Sequence, residues 1–414
     1  MSTNGRRVVA TGIGLVSPCG NTVEESWRNI LSGKSGIDRI SAFDASAYDS
    51  QIAGEVKDFD PLEFMDKKEA RRTDRSVQLA VASATEAMKG NGGEGIDKSR
   101  FGVIIGSGIG GIRTFEQQHS VLIERGPSRI SPFFIPMMIS DMAAGQVSIR
   151  FGLRGPNFAT VSACASGGHA LSDAFMYIKN GLADMMMAGG TEATISPMAL
   201  GGFCSLKALS TRNDDPTRAS RPFDKDRDGF VMSEGAGMII LEELEHAKTR
   251  GVPILAEMIG IGLTGDAYHM TQPTPGHIGA VAAMRMSLDY AGLKPGDIDY
   301  VNAHGTSTYH NDKNECEAIL TVFGAPSNGL KVSSTKSVTG HLLGAAAALE
   351  FIACIKAMDE GVIPPTVNLE NPDPACELNH VPNKAEKREL NIIISNSFGF
   401  GGHNVALILK KYET

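Results

Sequence analysis

The chain has 414 residues, 42% hydrophobic and 21% charged, enough to enclose about two to three cores and without low-complexity sequence. Its net charge of −8 argues against a generally basic, nucleic-acid-binding surface, and no apolar run approaches the ~20 residues that span a bilayer. Six widely spaced cysteines without a CxxC pair suggest neither a zinc site nor a disulfide framework, and the first residues lack a signal-peptide apolar core, so a cytoplasmic protein is expected.

Short apolar, β-branched runs alternate with helical patterns along the whole chain. In the first part, strands are expected at 8–11, 101–106, 158–161, 184–189 and 238–241. In the second they are expected at 254–263, 300–303, 331–334, 391–395 and 405–409. Thr22 with Glu25 makes a capping box before Trp27, and Asp74 opens a helix whose Val77, Ala80, Val81, Ala84 and Met88 share a face. Further helices are expected at 137–149, 164–181, 278–291, 313–323 and 342–359. The alternation predicts an α/β protein with buried parallel or mixed sheets. The two parts look alike in plan, though no residue-level repeat is visible. A break near Arg250-Gly251-Val252-Pro253 divides the chain into 1–253 and 254–414. The stretch 196–233, rich in Gly, Asp and Arg, reads as a surface insertion or cap. The glycine cluster at 106–111 lacks both a Lys-Ser/Thr ending and a partner acid, so phosphate binding is discounted.

Cys164 stands in Ser162-Ala163-Cys164-Ala165-Ser166-Gly167, after a strand run and before a long amphipathic segment. That order places a thiol at a helix mouth, where unpaired N–H groups favour an anion and depress the thiol pKa. The bland alternative is a buried structural cysteine. Three polar segments in the second part follow strands: Asn302-Ala303-His304-Gly305-Thr306-Ser307-Thr308, the run from Ser333 through Lys336 to His341, and the run from Asn396 to Asn404. A lone loop histidine is usually structural. Two histidines and a lysine, each at a strand exit beside glycine, suggest a site.

Together the Cys164 segment, His304-Gly305-Thr306-Ser307-Thr308, Lys336 with Gly340-His341, and Phe398-Gly399-Phe400-Gly401-Gly402 resemble the signatures of the β-ketoacyl-[acyl-carrier-protein] synthases, in particular the elongating enzymes of dissociated fatty-acid synthesis. The likeness covers essentially the whole chain. It implies the thiolase fold, two similar α/β halves in a five-layered α-β-α-β-α arrangement, and a homodimer. It implies an acyltransferase: Cys164 takes an acyl chain from carrier protein, then condenses it with malonyl-carrier protein to give 3-oxoacyl-carrier protein and CO₂.

By the same resemblance His304 and His341 donate hydrogen bonds to the enolate, and the N–H groups of Cys164 and Phe400 hold the tetrahedral oxyanion. Lys336 is expected to be buried and to support the second histidine, with Glu350 as its partner. No cofactor is implied, since phosphopantetheine arrives on the carrier protein. Asn302, Glu315, Glu350, Ser395 and Asn404 match a cluster that can hold a monovalent cation. Phe400 and Phe398 match a gate before the acyl pocket, and the loop 266–276 is expected beside the entrance. Ile109 and Phe203 would line the acyl tunnel, with Phe133, Phe134 and Met138 reaching it from the neighbouring subunit. Thr306 and Thr308 would hold the pantetheine amides. Lys67, Lys68, Arg71 and Arg72, extended by Lys207 and Arg212, would dock the acidic carrier protein.

Two departures from that pattern concern chain preference. Tyr309-His310 replaces a proline-containing pair, and Ala346-Ala347-Ala348 is bulkier than the family's glycine-containing stretch. A thiolase would need a second cysteine in the C-terminal loop, and none lies beyond Cys376. A chalcone-type synthase would pair its cysteine with His and Asn. A cysteine hydrolase leaves Lys336 and His341 without a role, and a non-catalytic chain-length partner would lack Cys164.

Overall fold

The computed structural model describes residues 5–91, 96–325 and 329–413. Every apolar run expected as a strand forms part of one ten-stranded sheet. In chain order its strands are β1 (Val8–Val16), β2 (Phe101–Gly106), β3 (Asn157–Thr160), β4 (Met185–Glu192), β5 (Gly235–Glu243), β6 (Ala256–Gly265), β7 (Tyr300–Asn302), β8 (Lys331–Ser333), β9 (Ile392–Gly399) and β10 (His403–Lys410).

Their spatial order is β8-β7-β9-β10-β6-β1-β5-β4-β2-β3. Each half therefore runs third, second, fourth, fifth, first. In both, the third–second and second–fourth pairings are parallel and the remaining two antiparallel. The duplication is one of topology. The halves join where β1 pairs antiparallel with β6, Val8 opposite Met258 and Ala10 opposite Ala256.

Among the described residues the principal helices on these strands are α1 (Val23–Leu31), α2 (Arg75–Ala87), α3 (Met142–Phe151), α4 (Ser166–Lys179), α5 (Ile278–Ala291), α6 (Tyr309–Phe323) and α7 (Ala346–Glu360). Successive strand side chains point to opposite faces, so each half-sheet feeds two cores. Val103 and Ile105 of β2 join α2 and α3 in an outer core, while Ile104 faces the central one. Ala406 and Ile408 of β10 join α5 and α6, while Val405, Leu407 and Leu409 face the centre. α4 and α7 fill that central layer, giving the α-β-α-β-α stack of the thiolase fold. Burial on both faces explains why these strands read as continuous apolar runs.

The two central helices begin alike. α4 follows a 3₁₀ turn at Ala163–Ala165, α7 one at Leu343–Ala345, and Ala163 and Leu343 hold left-handed φ values of 51° and 48°. Ala346, Ala347 and Ala348 are all buried in this layer.

Local expectations fail at three places. The 137–149 helix is two, Phe134–Met138 and α3. Thr22 caps the Glu25 N–H, but the Glu25 carboxylate turns to Asn21 instead of closing the box. The stretch 196–233 is a surface insertion only in part: most of 201–218 is exposed or half-buried, but Phe230, Val231, Met232 and Ser233 are buried, and Met232 bridges to His341. Its charges misled, because Arg221 pairs with Asp224 at 3.1 Å and Arg227 with Asp373 at 2.7 Å, neutralised inside the fold.

Candidate active site

Loops leaving β3, β7 and β8 bring Cys164, His304 and His341 together from three separate segments. The cysteine sulfur and one nitrogen of each ring all lie within 4.8 Å of one another. The two rings meet edge to face, centroids 5.3 Å apart. They line a cavity of about 600 Å³ shared with Ile109, Phe203, Thr306, Thr308, Phe398 and Phe400.

Each histidine is held by its backbone surroundings. The Leu343 N–H donates to His341 Nδ1 at 3.3 Å, so the neutral ring carries its hydrogen on Nε2. Nε2 is buried and has no partner. The N–H groups of His304 and Gly305 each donate to the Glu315 carboxylate at 2.8 Å, and Phe398 packs against the His304 ring at 5.9 Å. His304 Nδ1 likewise has no partner. Burial, reinforced by the Lys336 charge, pushes both imidazoles well below their ordinary pKa. Neutral rings with free polar atoms result. A Cys-His-His set at this spacing also suits a soft metal. Metal on His341 Nε2, however, would displace its proton and leave Nδ1 facing only the Leu343 N–H.

The Cys164 thiol departs from expectation. Burial pushes it up to about 12, Lys336 pulls it down and Glu192 pushes it further up. The N–H groups of Phe400 and of Cys164 itself also favour the anion, without overcoming the loss of water. Even at the helix mouth, desolvation of the thiol outweighs the pull of the unpaired N–H groups. The resting group is a protonated thiol that needs a base.

Lys336, 1% exposed, forms an ion pair with Glu350, whose carboxyl burial pushes up to about 7. The second Glu350 oxygen, Oε2, is buried without a partner, as are Asn302 Oδ1 and Asn396 Oδ1. Unpartnered oxygens are what a hard cation takes. Asn302 and Glu350 therefore fit the expected cation set, and Ser395 lies opposite Asn302 in the β9–β7 register. Glu315 is engaged with His304 and Gly305. Asn404 donates its amide N–H groups to Asp266 at 2.7 Å and to the Gly402 carbonyl. Asn396, one residue along β9 from Ser395, was missed.

The glycine-rich loop 399–402 rests directly on the turn that carries Cys164. A Cβ on Gly399 would sit 2.7 Å from the Ser162 carbonyl oxygen, so only glycine allows this approach. The Gly401 N–H donates to the Met270 carbonyl and the Asp266 N–H to the Gly402 carbonyl, tying the loop 266–276 to the gate. The Thr306 and Thr308 hydroxyls are 3.0 Å apart. Phe230, hidden in the supposed insertion, packs edge-on against both Phe203 and His341.

Phe133 and Phe134 are not among the residues lining the cavity of their own chain. The Arg72 guanidinium covers Phe133 at 4.2 Å, and Phe134 packs on Phe115. Lys67, Lys68, Arg71 and Arg72 are exposed on and after the short helix Lys67–Ala70. Lys207 pairs with Asp49, and Arg212 donates to the Asp226 carbonyl. Of these charges only Lys207 lines the cavity; Lys67, Lys68, Arg71 and Arg72 lie on the surface outside that lining.

Comparison with known proteins adds the lineage. The profile of the β-ketoacyl synthase N-terminal domain matches residues 5–247, and that of the C-terminal domain residues 255–370. The chain is 50% identical over 412 residues to the 3-oxoacyl-[acyl-carrier-protein] synthase 2 of Synechocystis, covering 99% of each. A β-ketoacyl synthase from Burkholderia phymatum superposes with a TM-score of 0.92 at 36% identity, covering 99% of this chain and all of that one. A ketosynthase solved in complex with its type II polyketide acyl carrier protein superposes at 0.91 and 34% identity, with 99% and 100% covered. Two domain matches spanning most of the sequence, on a twice-repeated five-stranded topology, place this chain in the β-ketoacyl synthase family.

Proposed function

We propose that the protein is an elongating 3-oxoacyl-[acyl-carrier-protein] synthase. The observation that carries this is the convergence of the Cys164 sulfur with two neutral imidazoles, one of them a fixed Nε2–H donor without a partner.

Acyl transfer begins from a protonated thiol. His341 Nδ1 is occupied and its Nε2 already bears a proton, so His304 is the ring free to accept. The Cys164 proton passes to His304 as sulfur attacks the acyl thioester carbonyl. The N–H groups of Cys164 and Phe400 hold the oxyanion. Collapse expels the pantetheine thiolate, which takes the proton and leaves His304 neutral.

Malonyl-carrier protein then enters, its pantetheine along Thr306 and Thr308. Its thioester carbonyl accepts from His341 Nε2–H, and from His304 in the tautomer that carries its hydrogen on the nitrogen facing the cavity. The bond to CO₂ breaks, and its electron pair becomes the enolate, stabilised without full proton transfer. The enolate carbon attacks the Cys164 thioester, and collapse releases 3-oxoacyl-carrier protein and a Cys164 thiolate that is reprotonated by water. No cofactor enters either step.

Three further features belong to this reading. A monovalent cation would be held by Asn302, Glu350 and Asn396, beside Ser395, giving structural support. A homodimer would carry Phe133 and Phe134 to the partner's tunnel, consistent with their absence from their own cavity. The carrier protein docks on Lys67, Lys68, Arg71 and Arg72. No helix of the described residues is long and apolar enough to cross a membrane, and the carrier-borne substrates are those of a cytoplasmic enzyme.

The test uses purified protein with acyl- and malonyl-carrier protein. Intact mass should show one acyl group on the wild type and none on Cys164→Ala, with CO₂ and 3-oxoacyl product only from the wild type. Product formation without acylation at Cys164 would refute the scheme.

A further inference from the structure

Glu192, the last residue of β4, is fully buried beside the site, and no step of the reaction above uses it. Its Oε2 accepts the N–H of Gly108 at 2.7 Å and of Gly344 at 3.0 Å. Its Oε1 accepts the Ile109 N–H at 3.2 Å and the Ser107 hydroxyl at 3.1 Å. One carboxylate thus joins the turn after β2, in the first half, to the turn before α7, in the second.

The junction has no slack. A Cβ on Gly344 would lie 2.5 Å from the Gly108 nitrogen and 2.7 Å from Glu192 Oε2, and one on Gly108 would lie 2.8 Å from the same oxygen. Immediately before Gly344 stands Leu343, at φ 48°, a strained backbone that its surroundings must hold in place. The Leu343 N–H is the group that donates to His341 Nδ1.

We propose that Glu192 is a positioning residue: by anchoring the Gly344 amide it fixes the peptide after Leu343, and through the left-handed Leu343 backbone the preceding N–H that sets the Nε2–H tautomer of His341, while its other oxygen pins Ile109 at the acyl end of the same cavity. The inference rests on the reading of His341 as a donor to the malonyl thioester. Glu315 offers the precedent within this chain, since it clamps the His304 loop through two backbone N–H groups. Burial pushes the Glu192 carboxyl up to about 7, so at pH 8 it is ionised and its charge opposes ionisation of Cys164. Loss of the charge and loss of the clamp therefore move two different readouts in opposite directions.

The experiment compares full-length wild type, Glu192→Gln and Glu192→Asp in three measurements: malonyl-carrier-protein decarboxylation, alkylation of Cys164 by iodoacetamide at pH 8, and ¹⁵N NMR of histidine-labelled protein. Glu192→Gln keeps the shape but turns an NH₂ toward two of the backbone donors. Its decarboxylation kcat should fall on the order of 10²-fold, the scale of losing one oxyanion donor, with KM within about twofold. Its alkylation should accelerate about threefold or more, as a nearby negative charge is lost. Its His341 spectrum should show mixed tautomers where the wild type shows Nε2–H alone. Glu192→Asp keeps the charge and shortens the reach, so kcat should fall while alkylation stays at the wild-type rate.

Unchanged kcat in both variants would overturn the proposal. So would a kcat loss accompanied by equally slowed alkylation and an unaltered His341 tautomer, the pattern of general disruption. A wild type that fails to decarboxylate malonyl-carrier protein would instead overturn the functional reading, and the two failures are distinguished by the wild type alone.

Discussion

At the scale of single residues, burial sets the chemistry of this site more than any individual charge does. Lys336 and Glu350 are each 1% exposed, and their ion pair is stable only while both members remain. Lys336→Met should destabilise the protein by about 3 kcal/mol in urea unfolding, since it strands a carboxyl among apolar neighbours. The deficit should grow from pH 6 to pH 8. A carboxyl whose folded pKa is raised favours folding below its unfolded value and loses that contribution as pH climbs through the folded one. Burial already pushes Glu350 to about 7 with its partner present, and removing the ammonium raises it further. The double variant with Glu350→Gln should recover most of the loss and flatten the pH dependence. A single-variant deficit independent of pH would contradict this account.

At the scale of elements, two turns and one glycine-rich loop decide whether the nucleophile can work. The 3₁₀ turn carrying Cys164 is entered through Ala163 in a left-handed conformation, and the gate backbone at Gly399 lies against the same turn. A methyl group on Gly399 would meet the Ser162 carbonyl oxygen, a backbone atom with no rotamer to yield. Gly399→Ala should therefore slow acylation of Cys164 by about tenfold or more by displacing the Phe400 N–H from the sulfur, as in the loss of an oxyanion donor. Stopped-flow acylation measures this directly, and an unchanged rate would show that the gate and the turn are independent. Because Gly401 and Gly402 hydrogen-bond to the loop 266–276, the effect should extend to that loop's hydrogen exchange.

At the scale of the whole molecule, the proposed docking of an acidic carrier on an acidic chain requires one local basic patch. Lys67, Lys68, Arg71 and Arg72 are exposed while the chain carries a net charge of −8. Reversing Arg71 and Arg72 to Glu should raise KM for carrier-protein substrates about tenfold at low salt, and leave pantetheine-truncated substrates within about twofold. Equal loss with both substrate types would place the effect on folding instead of docking. Arg72 stacks on Phe133, so the same double variant also tests whether the aromatic face needs that cation.

The architecture was largely readable from residue order, because strands buried on both faces must be apolar throughout and helices beside them must keep a helical period. All ten strand runs, the Cys164 turn and both histidine loops followed from that local rule. The duplication was legible only in plan, since it resides in strand order and not in matching residues. Within 196–233 only the later residues depart from a surface insertion, because composition cannot distinguish a charge facing water from one paired inside, as Arg227 and Asp373 are. Glu192 and Asn396 went unnoticed for the same reason: nothing in one dimension says which polar side chain will be walled off from solvent. The reversed thiol shift of Cys164 has that origin too. Residue types and their spacing limit the possible chemistry, because nucleophiles, donors and turn formers are local properties. Protonation state, tautomer and clamp depend on distances between segments far apart in the chain, and only folding brings those segments within reach of one another.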